Sequence, residues 1–167
     1  MSLTLAAILI LGFVTLQRLA ELWLAERNRT RLLEQGALEY GAGHYPLIVA
    51  VHAAWLAALW WWAPGQPISV PLLLAFAALQ AARAWIIASL AERWTTRIMV
   101  LADAPLVTRG PYRFVDHPNY IVVVLEIAVL PLVFGLWQIG VIFSLLNAAV
   151  LTIRIGAENR ALRSLRR

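Results

Sequence analysis

Five long apolar stretches constrain the fold of this chain more than any other feature of its sequence. They run near residues 3–24, 45–63, 69–90, 119–135 and 138–156. A helix needs roughly 20 apolar residues to cross the hydrocarbon core of a bilayer. Because 62% of the 167 residues are hydrophobic and only 14% are charged, an ordinary soluble domain is excluded. We therefore expect an all-α integral membrane protein with about five transmembrane helices.

The distribution of basic residues predicts the orientation. All fourteen are Arg, and eleven of them lie after the first stretch, between the third and fourth, or at the end of the chain. Residues 63–67 and 134–138 carry no charge. Under the positive-inside rule the N-terminus lies outside and the C-terminus in the cytoplasm, as in a bacterial inner membrane. The net charge of +5 is then a topology signal, and we expect no nucleic-acid partner.

The domain organisation follows from the same pattern. Residues 1–90 are predicted to form three transmembrane helices, and residues 91–167 a polar connection, a tight transmembrane hairpin and a tail of the same single domain. The first stretch lacks the basic segment of a signal peptide, so it is expected to remain as a helix. The chain has no Cys and its three His lack ligand spacing, so no disulfide or metal site is expected.

The most polar part of the second half is RGPYRFVDHPNY, residues 109–120, just before the fourth stretch. Pro118 suits the first turn of a helix. A helix N-terminus favours an anionic group such as a carboxylate, while the two Arg add positive charge and the two Tyr offer flat rings. The segment therefore suits a small zwitterion that carries an aromatic ring. The alternative is a set of ordinary juxtamembrane anchors.

Polar residues recur at helical spacing in the last two stretches. Glu126 follows Asn119 by two turns, and Asn147, Arg154 and Glu158 share one stripe of the last helix. Ionisable residues within a span are functional candidates. Two facing stripes predict a pocket that opens toward the cytoplasm. The alternatives are a structural hydrogen bond for Glu126 and an exposed ion pair between Arg154 and Glu158.

Further candidate residues lie in and after a short polar segment of the N-terminal half. LEYGAGHYP, residues 38–46, precedes the second stretch, and a His there or within the span is a candidate base. The alternative for His52 is a structural hydrogen bond between helices, and the alternative for His44 is a position at the membrane interface without a catalytic role. The predicted substrate contacts are His44, Tyr45, His52, Glu126 and Asn147.

Charged residues also lie inside the first and third stretches. Arg18 and Glu21 are one turn apart and favour a local ion pair or snorkelling. Arg83 is expected to snorkel or to pair with a carboxylate such as Glu126.

The segment PLVTRGPYRFVDHPNY, followed after an apolar hairpin by RIGAENRAL, resembles the core signature of the isoprenylcysteine carboxyl methyltransferase family. Membrane phospholipid methyltransferases share its outline. The resemblance covers about residues 93–162. It implies an integral-membrane methyltransferase that holds S-adenosylmethionine in a cytosol-facing pocket formed by the C-terminal half.

Site residues follow from this resemblance position by position. It implies that Glu158 pairs with the ammonium group of the cofactor and that Arg154 orients the acceptor, which makes these two the predicted catalytic residues. Asp116 and Asn159 depart from the family pattern, which more often has Arg and an acid there. The final motif also includes Leu162. The predicted cofactor-binding residues are Gly110, Tyr112, Arg113, His117, Pro118, Asn119, Tyr120 and Glu158.

The expected reaction is methyl transfer to an oxygen of a lipophilic acceptor, either an isoprenoid carboxylate or a long-chain phenol or pyrone. Such an acceptor is expected to enter from the bilayer. Two alternatives remain open: N-methylation of a phospholipid amine, and a non-enzymatic lipid-binding or scaffold subunit. The sequence pattern indicates no particular oligomeric state.

Overall fold

The computed structural model describes residues 2–101, 104–105 and 107–164. The side chains of Asn159 and Leu162, singled out above, lie outside the described residues. Five helices form the bundle: α1 Leu3–Glu34, α2 Tyr45–Trp62, α3 Val70–Leu90, α4 Pro118–Val133 and α5 Trp137–Ser164. Short 3₁₀ turns cover Ala42–His44, Ala91–Arg93 and Gly110–Arg113.

The helices are those of an integral membrane protein. Four of them, α1, α2, α3 and α5, are long and apolar enough to cross a membrane. Large apolar side chains cover their outer surfaces; Leu16, Trp61 and Leu145 are each more than two thirds exposed. α4 has 16 residues and is about 24 Å long, less than the roughly 30 Å of the hydrocarbon core. The predicted fifth span is thus a shorter apolar helix.

The helix ends follow local sequence signals. Ser2 caps α1, since its Oγ accepts a hydrogen bond from the Leu5 N–H at 3.2 Å. α4 begins at Pro118, as predicted. Only residues 134–136 separate α4 from α5, and Gly135 adopts φ of +70° there, so the predicted tight hairpin is confirmed.

Two short strands join the connections at one end of the bundle. This end, called the site end below, holds the C-termini of α1, α3 and α5 and the N-termini of α2 and α4. β1, Leu38–Tyr40, pairs antiparallel with β2, Ile98–Val100, with Glu39 opposite Met99. The all-α expectation did not include this pair. The two strands tie the α1–α2 connection to the α3–α4 connection.

The helix bundle buries two apolar clusters, and α1, α3 and α4 contribute to both of them. The first comprises Ala7, Leu11, Val14, Trp55, Leu59, Ala63, Phe76, Ile127, Leu130, Val133 and Phe134. The second, nearer the site end, comprises Ala25, Ile86, Trp94 and Val122. A third, smaller cluster of Ile98, Val100 and Ala157 joins β2 to α5.

An ionic layer lies between the two apolar clusters. Arg83 donates to Glu126 through Nε at 2.8 Å and through Nη2. Arg18 donates to Glu126 at 2.7 Å and to Glu21 at 2.6 Å, and Gln80 donates to Glu126 at 2.9 Å. The expected Arg18–Glu21 pair is therefore present, but it belongs to a larger network. The layer joins α1, α3 and α4, and its formal charges cancel.

Candidate active site

A cavity of about 590 Å³ lies at the site end. Its walls come from the first turn of α4, the last turns of α5, the 3₁₀ turn Gly110–Arg113 and the segment 93–101. The two sequence motifs meet in it, although about 34 residues separate them along the chain. The motif residues in its lining are Tyr112, Asp116, His117, Asn119, Tyr120, Arg154 and Glu158.

Tyr120 connects the two motifs. Its hydroxyl donates a hydrogen bond to Glu158 Oε2 and accepts one from Arg154 Nε at 3.0 Å. His117 stacks on the Tyr120 ring with centroids 5.2 Å apart, and its Nδ1 lies 3.8 Å from Glu158 Oε1. Asn119, Arg154 and Glu158, which belong to the two predicted stripes, all line this cavity. The contacts between α4 and α5 are made by Tyr120, which belongs to neither stripe. A carboxylate, a guanidinium and an imidazole are held together by one phenol.

Arg154 is held from a second direction. Its Nη1 donates to the Thr96 carbonyl at 2.8 Å, and the Thr96 hydroxyl lies 3.0 Å from the Tyr45 hydroxyl. The Arg97 guanidinium lies 4.1 Å from the centre of the Tyr45 ring and donates to Glu39 at 2.5 Å. Contacts that involve the α1–α2 and α3–α4 connections therefore orient the guanidinium of Arg154.

The pKa values of Glu39 and Tyr112, both at the site end, are shifted. Burial of Glu39 opposes its ionisation, but hydrogen bonds from Arg29 and Arg97 outweigh this, so the pKa of Glu39 lies below its ordinary value. Burial, with a smaller contribution from the charge of Glu158, raises the pKa of Tyr112 to about 12. Tyr112 therefore keeps its hydroxyl proton near neutral pH and can donate a hydrogen bond into the cavity.

Three predicted cofactor residues lie outside the described cavity lining. Gly110 packs on α3, where an added Cβ would lie 2.0 Å from Ser89 Oγ, and its φ is +61°. Arg113 is exposed, with its guanidinium 4.6 Å from the Phe114 ring. Pro118 is buried at the start of α4. Gly110 and Pro118 thus shape the backbone around the cavity.

None of the five predicted substrate contacts is among the described lining residues. Tyr45 reaches Arg154 through Thr96, as above. His52 bonds within its own helix, with Nδ1 2.9 Å from the Ile48 carbonyl.

The other three lie apart from the cavity lining as well. His44 packs on Gly41 in the 3₁₀ turn before α2. Glu126 is 1% exposed in the ionic layer, and Asn147 is 5% exposed on α5. The deep ends of the two predicted stripes therefore do not extend the cavity, because Glu126 is bonded to α1 and α3.

Sequence reasoning missed part of the lining. Arg93 and Arg97 were interpreted only as topology signals, and Trp94 was not singled out. The available signal was the density of Trp, Thr and Arg in ERWTTR, residues 92–97, within an otherwise apolar chain.

The comparisons with known proteins agree with this geometry. The model of the isoprenylcysteine carboxyl methyltransferase (ICMT) family matches residues 72–164, more than half of the chain. The chain belongs to the isoprenylcysteine carboxyl methyltransferase family. It is also 34% identical to the uncharacterized protein YpbQ of Bacillus subtilis (strain 168), over 92% of this chain and 95% of that protein. No solved structure gave a significant match.

Family membership confirms the resemblance drawn from the two motifs. ICMT family proteins are membrane methyltransferases that generally use S-adenosylmethionine. The match includes α3, α4, α5 and the polar connection, which together supply most of the cavity lining.

The residues of the cavity fit such a cofactor. Its volume of about 590 Å³ lies within the roughly 300–1,000 Å³ typical of small-molecule sites. Both charge signs are present for a zwitterionic amino-acid group, from Glu158 and Asp116 on one hand and Arg93 and Arg97 on the other. Ile98, Val100, Leu90 and Val107 provide apolar walls.

Proposed function

We propose that this ICMT family protein transfers a methyl group from S-adenosylmethionine to an oxygen of a lipophilic acceptor embedded in the membrane. One observation carries the proposal: Tyr120 joins His117, Glu158 and Arg154 at the wall of a single cavity. A scaffold protein would have no need for this convergence.

The roles proposed for the residues follow from their charges. Glu158 accepts from Tyr120 and retains acceptor capacity for an ammonium group, with His117 beside it. Arg154 donates one N–H from Nε to Tyr120 and one from Nη1 to Thr96. Within the described part of the chain its other N–H groups, including both on Nη2, are available to an acceptor oxygen. Glu158 therefore binds the cofactor and Arg154 orients the acceptor.

S-adenosylmethionine, when bound, supplies a methyl group on a sulfonium that departs as a neutral thioether. The residues of the chain hold two reactants in register, for which effective molarities are worth about 7 kcal/mol or more. No covalent nucleophile is required of them. A carboxylate acceptor is already ionised and would pair with Arg154, whereas a phenol would also need a general base within hydrogen-bond reach.

The membrane placement proposed here follows the Arg distribution. Arg27, Arg31, Arg93, Arg109 and Arg113 all lie at the site end. By the positive-inside rule this end faces the cytoplasm, where a water-soluble cofactor is available, in a bacterial inner membrane. The lipidic acceptor reaches the cavity from the bilayer, because transfer of a long apolar chain into water is unfavourable.

A labelled-methyl assay tests this proposal. The protein is reconstituted with bacterial membrane lipids and incubated with S-adenosylmethionine labelled in its methyl group. We expect label in the lipid fraction with the wild type and with Arg27→Ala, an exposed control outside the cavity, and none with Glu158→Gln. Mild alkaline hydrolysis releases label from a methyl ester and not from an aryl ether.

Two results would contradict the proposal. Label recovered only on the nitrogen of a phospholipid headgroup would show N-methylation instead of O-methylation. No transfer by a folded protein to any extracted lipid would favour the scaffold function.

A further inference from the structure

Two buried polar atoms in the cavity lining lack a hydrogen-bond partner. The indole N–H of Trp94 and the amide oxygen Oδ1 of Asn119 make no hydrogen bond within the described part of the chain. Both residues line the cavity of about 590 Å³. The other two described atoms of this kind are Gln17 Oε1 and Arg18 Nε. Both belong to the ionic layer, since the Gln17 amide donates to Glu21 and Gln80. Two residues of the cavity lining thus carry one unpaired donor and one unpaired acceptor, both enclosed by the surrounding packing.

The indole of Trp94 is firmly placed. Trp94 is 2% exposed and packs with Ala25, Ile86 and Val122 from three helices. Asn28 Nδ2 donates to the Trp94 carbonyl at 2.9 Å. A buried donor left unpaired costs about 1–3 kcal/mol, and nothing in this packing offsets that cost. A bound ligand that places an acceptor atom beside the indole N–H would offset it.

Asn119 is half-buried. It lies in the first turn of α4, between the stacked rings of His117 and Tyr120 in sequence. An amide oxygen accepts hydrogen bonds from neutral N–H groups as well as from cations. Its unpaired state at the cavity wall points to a donor on the ligand.

We propose that Trp94 and Asn119 recognise the heteroaromatic base of the cofactor. This inference rests on the proposed function. A neutral donor and a neutral acceptor complement an aminopurine, whose ring nitrogens accept and whose exocyclic amino group donates. Trp94 also lies in the apolar cluster against which Tyr112 packs, which suits a flat neutral ring better than the charged amino-acid group. Glu158 serves that charged end instead.

Calorimetric titration of the purified full-length protein tests the inference with two ligands. One is S-adenosylhomocysteine, and the other is S-inosylhomocysteine, in which a carbonyl replaces the exocyclic amino group. We expect wild type to prefer the adenosyl ligand by about tenfold or more, since the inosyl ligand leaves Asn119 facing another acceptor. Asn119→Ala is expected to bring the two affinities within about threefold of each other.

Trp94→Phe removes the N–H and keeps most of the ring. We expect it to weaken S-adenosylhomocysteine about tenfold without lowering the thermal stability of the ligand-free protein, because it removes an unpaired donor. Trp55→Phe is the matched control. Trp55 is equally buried, but its indole N–H donates to the Ile127 carbonyl at 3.3 Å, so that variant is expected to lose stability and keep ligand affinity.

The outcomes separate this inference from the proposed function. Normal affinity and normal base preference in both the Trp94 and Asn119 variants would overturn the inference while S-adenosylhomocysteine binding by the wild type still stood. A wild type that bound neither ligand would overturn both. A Trp94→Phe protein that lost stability and kept affinity would make its indole N–H a structural group.

Discussion

Replacing Arg83 with Met removes one cation from the ionic layer and leaves a similar side-chain volume. Glu126 then loses two hydrogen bonds from Arg83 and keeps those from Arg18 and Gln80. The described layer changes from formally neutral to a net charge of −1. Interhelical hydrogen bonds in membranes contribute only about 0.6 kcal/mol on average, so the uncompensated charge decides the magnitude.

Breaking a buried ion pair costs about 3–5 kcal/mol. For a chain of this length each kcal/mol lowers the melting temperature by about 2–4 °C, which gives a decrease of roughly 6–20 °C for Arg83→Met. The assay is thermal unfolding in detergent, followed by circular dichroism. Arg31→Met is the matched control, because the Arg31–Glu92 pair is 41% and 73% exposed and pairs of that kind contribute about 0–1 kcal/mol.

A double variant makes this reasoning refutable. Arg83→Met combined with Glu126→Leu restores neutrality, and apolar replacement of a whole buried pair is often neutral or stabilising. The double variant is therefore expected to be more stable than Arg83→Met alone. If the two substitutions destabilised additively, or if Arg83→Met were as mild as Arg31→Met, the charge-compensation account of the layer would be wrong.

Two further predictions concern the connections at the site end. Ala91 has φ of 51°, in the region that favours glycine. Ala91→Gly should therefore relieve backbone strain and raise the free energy of unfolding by about 1 kcal/mol, measured by thermal unfolding. A decrease in stability would show that Ala91 is not strained. The pKa of Glu39 is lower in the folded protein than in the unfolded chain. The Glu39 carboxylate therefore stabilises the fold above its unfolded pKa of about 4.3, and this stabilisation is lost as the pH falls through the folded pKa. Glu39→Gln should therefore destabilise at pH 7 and lose that effect on acidification below about pH 4.3, and a pH-independent difference would contradict the pairing of Glu39 with Arg29 and Arg97.

The helices and the convergence of the motifs could be predicted because their signals are local. Apolar length locates a helix, and the spacing of Arg154 and Glu158 places both on one face of α5. Tyr120 then completes the group, since α4 and α5 are joined by a tight hairpin that makes them neighbours.

The remaining features depend on partners distant in sequence. Three-residue strands are too short to give an alternation signal, so the pairing of Leu38–Tyr40 with Ile98–Val100 was not predictable. Glu126 was equally consistent with a substrate contact or an interhelical bond until its contacts with Arg18 and Arg83 were known. Trp94 carries no motif, and its unpaired N–H is apparent only from the packing around it.

The central claim is that the cavity at the site end binds S-adenosylmethionine through both motifs. Its most direct test is calorimetric titration of the detergent-purified protein with S-adenosylhomocysteine. We predict saturable binding at one site per chain for the wild type. Binding should be at least about tenfold weaker in His117→Ala and Glu158→Gln, since each removes a polar partner at the cavity wall. Binding should be unchanged in Arg27→Ala. The claim would be contradicted if the folded wild type did not bind, or if His117→Ala and Glu158→Gln bound with the same affinity as the wild type and Arg27→Ala.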